Sequence, residues 1–204
     1  MGSFWDRAAC FYDFSETFNA RANRAMVQAA ARWVSPGSRV LDCAAGTGAL
    51  SLAAAKKAEA VLCTDLSPAM LAQAKRKAAA QGAGNITFAQ RDLFAPPPPR
   101  PFDGVIAGNV LHLLDEPERA LASLLACLRP GGRLILPTYL QGEASPLFRV
   151  LLAAYQWVGF RPKRQFTDKS YRALLAPWRP TYYQLLPGPL PVGFAVITKG
   201  MDSL

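Results

Sequence analysis

The run Val40-Leu41-Asp42-Cys43-Ala44-Ala45-Gly46-Thr47-Gly48-Ala49-Leu50 constrains this chain more than any other stretch. An apolar segment ends in an acid, passes through small residues that let the backbone turn tightly, and enters a helical pattern. Asp65 follows seventeen residues after Gly48, where the next strand of the pattern ends. A strand, a tight turn, a helix and a second strand make a βαβ unit. Such units require a mostly parallel sheet with helices packed over it.

The rest of the chain repeats that rhythm. An Ala/Arg-rich helical segment, 19–34, stops at Ser35-Pro36-Gly37. Strands are predicted at 39–43, 60–64, 86–90, 102–107 and 133–139, with helices near 49–57, 69–81 and 117–127 between them. Ser67-Pro68 marks the start of the second of these helices, a side-chain cap followed by a proline in the first turn. The tract Ala95-Pro96-Pro97-Pro98-Pro99-Arg100-Pro101 cannot join a sheet and reads as a stiff surface loop. Arg129-Pro130-Gly131-Gly132 ends the helix near 117–127. Beyond Tyr139 two further helices, 147–158 and 168–175, precede two closing strands, 181–186 and 194–199. Strands separated by helices imply right-handed crossovers. The expected fold is α/β: a doubly wound, mostly parallel seven-stranded sheet with helices on both faces.

A length of 204 residues fits one domain, 1–204, with no linker and no internal repeat. Hydrophobic residues make up 51% and charged residues 18%, which excludes a disordered chain. No apolar run approaches the roughly eighteen residues of a membrane span. The first residues lack a basic region followed by an apolar core, so no signal peptide is expected and cytoplasmic residence is the default. Cys10, Cys43, Cys63 and Cys127 have no metal-type spacing, and His112 is the only histidine. They read as small buried hydrophobes, and no metal is expected. The net charge is +9, and residues 161–204 hold seven Lys or Arg against two Asp. That excess suits either an ordinary solvated surface or an anionic partner.

In an open parallel sheet, ligands sit beyond the carboxyl ends of the strands. Polar or turn-forming residues recur there: Gly46 and Gly48 after the first strand, Asp65 after the second, Asp92 after the third and Asn109 after the fourth. Gly46 and Gly48 permit close approach of backbone to ligand, and Asp65 is placed to accept hydrogen bonds from two ribose hydroxyls. Leu66 and Leu93 each follow an acid, where an apolar side chain can line a flat adenine slot. Asp42 has two readings, an anchor for the loop or a cofactor contact. The loop lacks the third glycine of a dinucleotide fingerprint and the Gly-Lys-Ser/Thr of a P-loop, so the ligand need not carry phosphates.

These residues resemble the class I S-adenosylmethionine-dependent methyltransferases. Val40 to Gly48 is similar to that family's first motif, Asp65-Leu66-Ser67 to its ribose-binding strand end and Arg91-Asp92-Leu93 to its adenine-side acid. Phe102 to His112 resembles its fourth motif, and Leu128 to Leu134 the turn before its fifth strand. Phe4-Trp5-Asp6 with Phe11-Tyr12-Asp13 resembles the opening of the ubiquinone/menaquinone-biosynthesis branch. Ala44 departs from the commoner glycine at its position.

The resemblance implies a Rossmann-like methyltransferase fold and S-adenosylmethionine as cofactor. Residues 1–35 would form a helical lid or cap, 38–140 the cofactor-binding core, and 141–204 the substrate-side helices and closing strands. Cofactor contacts are implied for Asp42, Ala44, Gly46, Thr47, Gly48, Asp65, Leu66, Met70, Asp92, Leu93 and Asn109. His112, just past the fourth strand, is either a general base or a packed core histidine. Tyr12 either lids the site or packs in the core, and Tyr139 is a weaker candidate. The helix 147–158 either walls the acceptor site or simply covers the sheet. The expected activity is methyl transfer to a small molecule: a phenol, thiol, amine or lipid-like acceptor. Nucleic-acid methylation is the alternative, although Asn109-Val110-Leu111-His112 lacks the Pro-Pro-aromatic sequence that traps a planar base amine. A non-catalytic S-adenosylmethionine-binding protein is a third reading, and an NAD-type oxidoreductase a fourth. Oligomeric state is not legible.

Overall fold

The computed structural model describes residues 5–6, 17–157 and 162–201, with side chains of the helix ending at Trp157 described through Ala153. Helix α1 (Ala20–Trp33) precedes the alternating series β1 (Arg39–Cys43), α2 (Ala49–Ala55), β2 (Ala60–Asp65), α3 (Pro68–Ala80) and β3 (Ile86–Gln90). Then follow β4 (Phe102–Ile106), α4 (Pro117–Ala126), β5 (Leu128–Tyr139), α5 (Pro146–Trp157), α6 (Asp168–Leu175), β6 (Tyr182–Leu186) and β7 (Val192–Thr198). The seven strands form one sheet in the order β3-β2-β1-β4-β5-β7-β6. The first five run parallel, while β7 is antiparallel to both β5 and β6. The expected doubly wound seven-stranded sheet is the one observed.

Strand alternation sorts the core into two layers. Val40, Ile106, Ile135 and Phe194 pack with Met26, Leu52, Ala74 and Ala78 of α1, α2 and α3. Leu41, Val105, Leu134 and Ala195 face the other way and pack with Leu121 and Leu124 of α4 and Tyr171 and Leu175 of α6. Both faces are therefore covered by helices, as a parallel sheet requires.

Local chemistry sets the element ends. The Ser67 hydroxyl accepts from Met70 N–H at 3.2 Å, with Pro68 as the first helical residue of α3. Thr167 and Ser170 form a reciprocal capping box at the start of α6. β5 differs from the expected strand in starting at Leu128 rather than Arg133. Leu128 pairs with Phe102, and the register then shifts before Gly104 pairs with Arg133. Pro130 has no N–H to offer and Gly131 takes φ +73°, so the irregularity falls where the backbone can bear it.

Candidate active site

Strand order reverses between β1 and β4, with β2 and β3 on one side and β5 on the other. This topological switch opens a crevice at the carboxyl ends of the strands. Two residues there adopt left-handed backbone without being glycine, Ala44 at φ +52° and Asn109 at φ +53°. Both border two adjoining cavities, of about 330 and 430 Å³. An alanine in this region is strained by about 1 kcal/mol. Ala44→Gly is therefore expected to stabilise the fold by about that amount, seen as a higher urea midpoint at unchanged slope.

The loop after β1 is fixed to its neighbours before any ligand arrives. Ala45 N–H donates to the Thr64 carbonyl on β2 (2.9 Å) and Gly48 N–H to the Ala45 carbonyl (2.9 Å). Gly48 caps α2 at φ +80°, and a Cβ there would lie 2.9 Å from the Ala74 Cβ of α3. Gly46 is different. At φ +55° it borders both cavities, and a Cβ on it would meet nothing within 4 Å. Packing makes Gly48 necessary, whereas Gly46 keeps its space open.

The cavity of about 330 Å³ gathers most of the expected contacts: Ala44, Gly46, Asp65, Leu66, Met70, Asp92, Leu93 and Asn109. Thr47 borders the neighbouring cavity, with its hydroxyl 2.9 Å from Lys77 Nζ. At the centre, Asp65 accepts from Gly46 N–H through one carboxylate oxygen and from Ser67 N–H through the other, each at 2.8 Å. Both oxygens keep a lone pair for a further donor. Burial raises the Asp65 pKa above its ordinary value, and the N–H donors of Ser67 and Gly46 oppose that rise. Asp92 is exposed and closes a short turn by accepting from Phe94 N–H at 2.9 Å.

Asp42 lies behind the loop and borders neither cavity. It is fully buried, accepts from the Ser51 hydroxyl at 2.6 Å through one oxygen, and its other oxygen has no hydrogen-bond partner. Burial pushes its pKa up to about 7, with the nearby Asp65 charge adding to the effect and the Ser51 bond opposing it. The folded state thus holds this proton more tightly than the unfolded chain, whose value is near 3.8. Stability from this group is complete below that value and is lost as pH rises to about 7. The slope from this group approaches about 1.4 kcal/mol per pH unit. Chemical denaturation of Asp42→Asn at pH 5 and pH 7.5 is expected to show a flatter dependence than the parent.

Asn109 ties the site together. Its Oδ1 accepts from Tyr139 N–H at 3.0 Å, and the Tyr139 hydroxyl donates to Asn23 Oδ1 on α1 at 2.8 Å. His112 sits on the one-turn helix Leu111–Leu113, 3% exposed, behind the cavity wall formed by Val110, Leu113 and Leu114. Its ring lies 6.4 Å from that of Tyr139, and its carbonyl accepts from the N–H groups of Lys163 (2.9 Å) and Arg164 (3.1 Å). Burial lowers its pKa to about 4, so the imidazole is neutral at physiological pH. Tyr12 lies outside the described residues, as does Cys10, while Cys43, Cys63 and Cys127 are buried thiols.

One wall of the crevice is α1, which lies within the segment 1–35 expected as a helical lid or cap but on which no contact residue is singled out from the sequence. Ala20, Asn23, Arg24, Val27 and Gln28 of α1 border the cavity of about 430 Å³, at helical spacing beside the buried stripe of Ala22, Met26, Ala29 and Ala30. That polar stripe flanking an apolar one was the available signal. Trp5 borders the other cavity, and the neighbouring Asp6 carboxylate accepts from the Ser67 hydroxyl at 2.5 Å.

Residues 40–132, the segment that builds β1 through the turn in β5, match the family model described as a methyltransferase domain. That match takes in a little under half of the chain. The ribosomal protein L11 methyltransferase of Thermus thermophilus is 36% identical over 156 residues, covering 76% of this chain and 58% of that relative. The demethylmenaquinone methyltransferase of Clavibacter sepedonicus is 33% identical over 140 residues, covering 67% and 56%. The chain thus spans less than two thirds of the length of either relative. A crystal structure of magnesium protoporphyrin IX methyltransferase from Synechocystis PCC 6803, with S-adenosylhomocysteine bound, superposes with a TM-score of 0.69 at 20% identity, covering 92% of this chain and 88% of that one. The chain therefore shares the Rossmann-like fold of that structure. No helix among the described residues is long and apolar enough to cross a membrane.

Proposed function

We propose that this methyltransferase domain binds S-adenosylmethionine across the two cavities and transfers its methyl group to a small-molecule acceptor. The observation that carries the reading is Asp65, held by two backbone N–H groups at 2.8 Å with a lone pair spare on each oxygen. A vicinal diol is the natural partner for such a carboxylate. Leu66, 61% exposed beside it, offers an apolar surface for a purine to cover. Gly46 leaves open the space that the ligand needs to cross from one cavity to the other. The residues present fit the group, and none of them requires a phosphate.

When bound, S-adenosylmethionine supplies an activated methyl on a sulfonium sulfur, with a neutral thioether as leaving group. The chain's own work is orientation and exclusion of water. Asp65 fixes the nucleoside end, while Asn109 holds β4, β5 and α1 in register around the crevice through Tyr139 and Asn23. An imidazole with a pKa near 4 is a weak base for a phenol or an ammonium group. We therefore assign His112 a structural place behind the wall, where its backbone carbonyl joins the turn after β4 to the chain at Lys163 and Arg164. His112→Asn is expected to change kcat by less than tenfold and leave the pH profile of kcat/KM in place. A general base would be worth about a hundredfold or more.

The relatives differ in acceptor, one named for a ribosomal protein and one for a quinone precursor. The pocketed crevice and the absence of a base-trapping sequence after Asn109 favour a small molecule. The test is S-adenosylhomocysteine release with panels of phenols, thiols, amines and lipids, against ribosomal protein and RNA. Turnover confined to the macromolecules would sink the small-molecule reading. Cofactor binding with no turnover on any panel would favour a non-catalytic binding protein.

A further inference from the structure

Helices α1, α2 and α3 cover one face of the sheet, and none of them contains an Asp or a Glu. Arg21, Arg24 and Arg32 are exposed on α1, on the side away from its buried stripe of Ala22, Met26, Ala29 and Ala30. Lys75 and Arg76 are exposed on α3, while Lys56 and Lys57 are exposed just past the end of α2. Glu59, exposed two residues beyond Lys57, is the acid next to them in the chain.

Ion pairing separates this face from the opposite one. Among the described residues, none of these cations pairs with a carboxylate. Around α4 and α6, by contrast, Arg119 meets Glu116 at 3.0 Å, Arg164 meets Glu118 at 3.5 Å and Arg172 meets Asp168 at 2.8 Å. Like charges gathered without counter-charges repel one another, and an anionic surface relieves that repulsion. The residues between the cations narrow the kind of surface. The other exposed positions of the three helices are Ala49, Pro68, Ala72, Ala79 and Ala80, with Gln28 the only amide. A protein that reads nucleic acid sets stacking rings and amides among its cations, and no ring is exposed on these helices. An anionic bilayer asks only for positive charge accumulated over a broad face.

We propose that the face formed by α1, α2 and α3 docks the protein on an anionic phospholipid bilayer. Phe18, 50% exposed in the turn that leads into α1, supplies a ring that can enter the headgroup boundary at the edge of this face. Arg24 and Gln28 also border the cavity of about 430 Å³, so the docked face reaches the mouth of the crevice. A lipid-like acceptor then enters from the bilayer without crossing water. That consequence rests on the cofactor reading. The docking itself does not.

The test is co-sedimentation of the full chain with phosphatidylcholine vesicles, with and without about one third phosphatidylglycerol. Partitioning is expected to be at least about tenfold stronger onto the anionic vesicles at about 0.1 M salt. It should be lost at about 1 M, where the screening length falls to about 3 Å. Arg21→Glu with Lys75→Glu is expected to weaken it by at least about tenfold. Arg100→Glu with Lys169→Glu makes the same change of net charge at exposed positions outside this face, and is expected to leave partitioning within about threefold of the parent. No preference for the anionic vesicles, or an equal loss from the two double variants, would overturn the proposal. So would retention of a single-stranded RNA oligonucleotide at the same salt without vesicle binding. S-adenosylhomocysteine titrated into the same variants reads the cofactor assignment separately, and its failure with the vesicle pattern intact would remove only the acceptor route.

Discussion

Asp65→Ala is expected to weaken S-adenosylhomocysteine binding by roughly a hundredfold or more, the loss of two hydrogen bonds to a charged acceptor. The carboxylate is the rigid polar group at the cavity mouth, set by Gly46 and Ser67 before the ligand arrives. Its removal also leaves those two N–H groups without their acceptor, so a modest fall in stability should accompany the loss. Asp65→Asn separates the two effects. It keeps one carbonyl oxygen and is expected to fall between the parent and the alanine variant. Unchanged affinity in calorimetry with Asp65→Ala would remove the ribose assignment.

Gly48→Ala is expected to destabilise the fold by about 2–4 kcal/mol, combining left-handed strain with a packing clash. At φ +80° an alanine is strained wherever it sits, and here its Cβ would meet the Ala74 Cβ at 2.9 Å. That contact is between a loop and a helix core, so neither side can swing away. Ala74→Gly in the same chain should recover part of the loss, because it removes the atom that clashes. Urea unfolding of the single and double variants measures both terms, and a full-strength single variant would mean that the loop and α3 are less tightly apposed than the structure has them.

The alternating elements were legible because each has a strong local cause. Apolar runs read as strands, Ser67-Pro68 as a helix start, and Ser35-Pro36-Gly37 as a helix stop. Asp65 and Gly46 were readable as a pair because strand-end position follows from the βαβ rhythm. Long-range effects were less accessible. The extension of β5 back to Leu128 depends on pairing with Phe102 across the sheet. Val110-Leu111-His112-Leu113-Leu114 has no periodicity to say which way its histidine points, and only the one-turn helix puts it behind the cavity wall. Asp42 left two readings because an acid at a strand end can face the ligand or the fold. Its bond to Ser51 and its complete burial put it behind the loop. The segment 1–35 was legible as a lid or cap, but not its contact residues: Asn23, Arg24 and Gln28 form part of a site only once the helix is laid against the crevice.

Calorimetric titration of the parent chain with S-adenosylhomocysteine, alongside NADH, is the most direct test of the cofactor assignment. Saturable one-to-one binding of S-adenosylhomocysteine, with no heat from NADH, is the expected result. Binding of NADH with no response to S-adenosylhomocysteine would contradict it.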